Sequence, residues 1–68
     1  MNQGTEVDVQ KLRDLRIDHG YSKKGLSRAA GLTDSAVYQL ERRGSATPAT
    51  LKKIADVLGV RASELLSK

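Results

Sequence analysis

A chain of 68 residues makes one small domain, and a domain of that size buries only about 60% of its unfolded surface. With Cys 0, disulfides and thiolate metal sites are excluded; the single His could build a zinc site only with two or three carboxylates beside it, and no cofactor is expected. The core must be ordinary apolar packing, nearly all aliphatic, since Phe is 0, Trp is 0 and Tyr is 2.

The chain divides at its glycines. Gly20, Gly31, Gly44 and Gly59 each follow an apolar-periodic stretch, where a helix C-terminal cap belongs. The first helix is predicted over 7–19, with Val9, Leu12, Leu15 and Arg16 at helical spacing and Thr5 with Asp8 as a capping box. The second runs over 23–30 behind the N-cap Ser22. The third runs over 34–43 behind Thr33. The fourth opens with Thr47 as N-cap and Pro48 at the first helical position. It reaches Leu58, with Leu51, Ile54, Ala55 and Leu58 on one face. A short fifth helix covers 62–66. No period-2 alternation appears, so no sheet is expected. The fold class is therefore an all-α, compact five-helix bundle, with residues 1–6 as a tail and 7–68 as the domain. The second and third helices are separated by little more than Gly31, Leu32 and Thr33. So tight a turn makes them cross steeply, as in a helix-turn-helix, with small residues such as Ser27, Ala29 and Ala30 at the contact.

Charge is uneven along this frame. Of 12 Lys and Arg against 8 Asp and Glu, net +4, the segment 20–53 carries seven bases (Lys23, Lys24, Arg28, Arg42, Arg43, Lys52 and Lys53) and two acids (Asp34 and Glu41). Positive charge gathered around the second and third helices points to a polyanionic partner. Residues 1–8 have no apolar run of an export signal, and nothing approaches the ~20 apolar residues of a membrane span. A soluble, cytoplasmic protein is expected.

The residues Leu12-Arg13-x-Leu15-Arg16-x-x-x-Gly20-x-Ser22, then Leu26 and Gly31, then Thr33-x-x-x-Val37-x-x-Leu40-Glu41, and finally Leu51-x-x-Ile54-Ala55-x-x-Leu58-Gly59-Val60 resemble the phage repressor and Cro family of helix-turn-helix DNA-binding domains. The resemblance covers roughly residues 9–66. It departs at Lys23, where the family usually has Gln, at Gly25, where a helix former is usual, and at Ser27, where Ala is usual. Arg42 and Arg43 both stand between Glu41 and Gly44, and Arg61 stands where an N-cap Ser is common.

The resemblance implies that the third helix lies in the major groove and reads bases with its N-terminal residues. At about 100° per residue, Val37 and Leu40 turn inward, while Ser35, Tyr38, Gln39 and Arg42 project outward and Asp34 stands at the tip. Asp34, Ser35, Tyr38 and Gln39 are the expected base readers. Gln39 can pair bidentately with adenine N6 and N7, and Asp34 can accept from a cytosine amino group. Tyr38 can meet a thymine methyl or a phosphate. Lys23 and Lys24 sit in a first helical turn, where the dipole disfavours cations. With Ser22, Thr33, Arg42 and Arg43 they form the expected phosphate-binding set. The bland alternative is a solvated lysine pair costing a few tenths of a kcal/mol. Lys52 and Lys53 read as a solvated face. Arg16 and Glu41 are implied by the family to be a buried structural ion pair, costly to break singly. Gly25 weakens its helix by up to ~1 kcal/mol relative to Ala; a close approach of the DNA backbone would account for it.

The expected function is a sequence-specific double-stranded DNA-binding transcriptional regulator, a repressor. The alternative is a helical interaction module or an antitoxin-type component. No nucleotide loop is present, and a bundle this small offers little concave volume, so an enzyme is not expected. Few large aliphatics (Ile17, Val57, Val60) are left over for an interface. The expectation is a weak homodimer that forms or strengthens on DNA, meeting, by the family arrangement, around 45–47 and 60–62.

Overall fold

Three of the four α-helices among the residues described by the computed structural model, 5–67, begin where a side-chain oxygen takes an open backbone N–H. Asp8 accepts from the Lys11 N–H at 3.1 Å and starts α1, Val9–Asp18. Ser22 accepts from the Gly25 N–H at 2.9 Å and starts α2, Lys23–Ala29. Thr47 accepts from the Thr50 N–H at 3.3 Å and starts α4, Pro48–Leu58, with Pro48 in its first turn. The third, α3, Ala36–Arg43, has no side-chain cap at Ser35. Its last turn closes on Gly44 at φ +76° and that of α4 on Gly59 at φ +70°, a region that a Cβ would strain.

Four sequence-based expectations need correction. Among the described residues the bundle has four α-helices, not five. Residues Ala62–Leu65 form a single 3₁₀ turn, because Leu66 leaves it in an extended conformation (φ −84°, ψ 141°) to bridge Val7. A sheet does exist. Thr5–Glu6 (β1) pairs antiparallel with Ser45–Ala46 (β2), in register Thr5 to Ala46 and Glu6 to Ser45. Two-residue strands are too short to show alternation. The Thr5–Asp8 capping box is not formed, because Thr5 is drawn into that sheet and Asp8 alone caps α1. The third helix starts at Ala36 rather than Asp34, and Thr33 is not its N-cap. The Thr33 carbonyl instead accepts the Ala36 N–H at 3.0 Å in a turn. Residues 1–4 of the expected tail, and Lys68, lie outside the described residues.

The N-terminal segment closes the bundle from below. The Val7 N–H donates to the Gly44 carbonyl at 2.9 Å and the Asp8 N–H to the Leu65 carbonyl at 2.8 Å. The core is aliphatic. Leu12 comes from α1, Leu26 from α2, Val37 and Leu40 from α3, and Leu51, Ile54, Ala55 and Leu58 from α4, with Val7 and Leu65 sealing the end. Tyr21 packs against its edge, and Ile17 is exposed.

One charged pair is built into this frame. Arg16 Nε donates to Glu41 Oε2 at 3.0 Å, and a second guanidinium nitrogen donates to the Tyr21 carbonyl at 3.0 Å. Side-chain exposures of 10% and 6% make it a buried bridge from α1 to the end of α3. No buried side-chain nitrogen or oxygen among the described residues lacks a partner, as a folded interior requires. No helix among the described residues is long and apolar enough to cross a membrane.

Candidate nucleic-acid interface

The pairing of α2 with α3 is fixed by a side chain that sequence reasoning valued only for its size. Ser27 is fully buried. Its hydroxyl donates to the Lys23 carbonyl at 2.9 Å and accepts the Val37 N–H, also at 2.9 Å. Ser27 thus supplies, from α2, the acceptor that an N-cap would otherwise give the first turn of α3. The Leu32 N–H returns to the Ser27 carbonyl at 2.8 Å and closes the turn. Ala30 is half-buried, whereas Ala29 is exposed. Gly25 has a local explanation. A Cβ there would stand 3.0 Å from Ser22 Oγ, the oxygen that caps its own N–H.

Across the same turn, Arg28 grips Asp34. Nε donates to Oδ1 at 2.9 Å and a terminal nitrogen to Oδ2 at 3.2 Å, a bidentate bridge. Lys24 Nζ stands 3.9 Å from the same carboxylate. The Arg28 hydrogen bond holds the Asp34 carboxyl below the ordinary aspartate range, with the Arg28 and Lys24 charges adding to it. The Arg28 guanidinium is raised by the same contact. An NMR titration of the Asp34 carboxyl should therefore give a midpoint below the ~3.9 of a free aspartate, and Arg28→Ala should return it toward that value. The lower value is the folded one. Any stability from this exposed contact is present above the unfolded value and lost as pH falls through the folded one. An ordinary midpoint in the unaltered protein would mean that the bridge does not persist in solution.

On the outer face of α3, Ser35 and Gln39 lie one turn apart and exposed, and Gln39 Nε2 donates to Ser35 Oγ at 3.2 Å. Tyr38 is 48% exposed, and its hydroxyl accepts from Arg42 at 3.3 Å. Its ring lies 5.3 Å below Lys23 Nζ. The structure brings Ser35, Tyr38 and Gln39 onto one exposed surface, while Asp34 is turned back to α2. Ser22 is exposed with its hydroxyl engaged as a cap, and Thr33 is exposed in the turn. Arg42 and Arg43 are exposed at the far end of α3. Lys52 pairs within α4 with Asp56 at 2.8 Å. The ties of Arg28 and Ser27 escaped sequence reasoning. The six-residue spacing from Arg28 to Asp34 across a glycine turn was the available signal for the first.

A family model described as Helix-turn-helix matches residues 12–65, most of the chain. The chain belongs to the helix-turn-helix family. The phage repressor and Cro-type resemblance carried by its motifs holds. For this helix-turn-helix protein, a similar solved structure is a chain of the SinR protein/SinI protein complex. The two are 31% identical with a TM-score of 0.74, and the match covers 88% of this chain. It covers 60% of that chain, so the protein described here spans less than two thirds of its neighbour's length. No match is found among curated proteins.

Proposed function

We propose that this protein is a sequence-specific double-stranded DNA-binding transcriptional repressor that reads the major groove with α3. The observation that carries the reading is the exposed pair of Ser35 at the N-cap of α3 and Gln39 on α3, bordered by the cations Lys23 and Arg42, neither of which faces a carboxylate within 4.0 Å among the described residues. Ser35 and Gln39 offer donors and acceptors to base edges. Lys23, Lys24, Arg42 and Arg43, with the Ser22 and Thr33 segments, hold the phosphates on either side. Asp34 stands at the tip of the reading face. It reaches a base only by leaving Arg28, which would then be free for a phosphate.

One recognition helix spans a few base pairs, so specificity calls for two copies on a pseudo-palindrome with half-sites about 10 bp apart. The large apolar side chains exposed among the described residues are Ile17, Tyr38 and Leu66. They are too few for an obligate dimer, which buries upward of ~2,000 Å². Val57 and Val60 are partly buried against the core. Sedimentation of the free protein should show a monomer or a weak monomer–dimer equilibrium, and two copies per selected duplex. No binding to duplex at low salt would refute the function. A tight dimer without DNA, or one copy per specific duplex, would refute the assembly.

A further inference from the structure

A cleft of about 250 Å³ opens beside α3, lined by Val9, Arg13, Lys23, Tyr38, Glu41 and Arg42. Three of these are cations, one each from α1, α2 and α3. The lone carboxylate, Glu41, is already committed. Its Oε2 takes Arg16 at 3.0 Å, and the side chain is 6% exposed. Arg13 Nε reaches Glu41 Oε1 only at 4.0 Å and leaves half of its side chain in solvent. Outside the cleft Lys11 has Glu64, Lys24 and Arg28 share Asp34, and Lys52 has Asp56, while Arg43, Lys53 and Arg61 face no carboxylate within 4.0 Å among the described residues. In the cleft Lys23 and Arg42 have none among the described residues, and both turn to Tyr38. The ammonium stands over its ring at 5.3 Å and the guanidinium at its hydroxyl at 3.3 Å. A concave wall holding three like charges with one spent counter-charge concentrates positive potential and favours an anion inside it.

We propose that Arg13, Lys23 and Arg42 form a phosphate-binding cleft around the Tyr38 ring, and that Tyr38 belongs to this backbone clamp rather than to base reading. The occupant is a DNA backbone phosphate, so the proposal rests on the DNA-binding reading above and adds two assignments to it. Arg13, from outside the helix-turn-helix, becomes a phosphate ligand. Tyr38 becomes the platform that positions Lys23 and Arg42.

The test uses two probes: duplex DNA, and sodium phosphate compared with sodium chloride at equal ionic strength. Arg13→Ala should lower the log–log salt slope by about 0.9 and the affinity roughly eightfold at 0.1 M salt, equally for random and selected duplexes. Arg13→Lys should restore the slope, and thermal unfolding of both variants should match the wild type. Tyr38→Phe should leave the order of base preferences unchanged. Shifts of the Tyr38 ring and Arg13 Nε–H NMR signals with sodium phosphate, lost in Arg13→Ala, support a cleft for phosphate in general. The duplex effects without such shifts support a site for the DNA backbone alone. An unchanged slope in Arg13→Ala, or altered base preference in Tyr38→Phe, overturns the proposal. If the wild type binds no duplex, the DNA-binding reading fails, and the cleft stands or falls on the phosphate shifts.

Discussion

Arg16→Met should destabilise the protein by about 3–5 kcal/mol, because it leaves Glu41 buried and charged with its main partner gone. The same change removes the donor to the Tyr21 carbonyl, which ties the end of α1 to the start of α2. Arg13, at 4.0 Å and half exposed, is too far and too solvated to take over. A domain of this length has a total stability on the order of 3–10 kcal/mol, so the variant should sit near its unfolding midpoint at room temperature. Circular dichroism should show Tm falling by at least about 12 °C. Arg16→Met with Glu41→Leu should recover much of the loss, since an apolar pair of similar volume needs no desolvation of charge. An Arg16→Met variant that melts with the wild type would show that the pair is not buried in solution.

The contrast between helix ends and strand pairs shows what the amino-acid sequence makes legible. Ser22, Thr47 with Pro48, and the glycines at 44 and 59 act within one turn of their own helix, so their chemistry is local and readable. β1 and β2 meet across some forty residues, and each is too short to carry a pattern. Their formation in turn removed Thr5 from the capping role that local reasoning gave it. The late start of α3 has the same origin. Its first turn is served by Ser27 from another helix, which no local signal announces. The outward face of α3 was readable from helical periodicity, because Tyr38, Gln39 and Arg42 point away from Val37 and Leu40 on any regular helix; Ser35, which periodicity placed on the same helix, stands just before it as the N-cap. The Arg28–Asp34 bridge and the gathering of Arg13 with Lys23 and Arg42 depend on how three helices pack. They become visible only in three dimensions.

Replacing Lys23, Lys24, Arg42 and Arg43 together by Ala should reduce the log–log salt slope by about 3.6 and weaken duplex binding roughly 4 × 10³-fold at 0.1 M salt, on random and selected sequences alike. All four side chains are exposed, so the core and the Arg16–Glu41 bridge stay in place. Removing two lysines from the first turn of α2 also relieves an unfavourable helix-dipole contact. Thermal unfolding should therefore stay close to that of the wild type while binding collapses. Titrations at several salt concentrations separate the outcomes. A slope reduced by less than one would mean that these residues are solvated charges with no phosphate partners.

Selection of bound duplexes from a random pool, run in parallel on the wild type and on Gln39→Ala, tests the reading of DNA by α3 most directly. The wild type should enrich a pseudo-palindromic sequence with half-sites about 10 bp apart. Gln39→Ala should enrich the same sequence relaxed at one position in each half-site, with ~1–3 kcal/mol lost on the wild-type site. A wild-type pool that stays random after repeated rounds, or a Gln39→Ala pool identical to the wild type's, would contradict base reading by this face of α3.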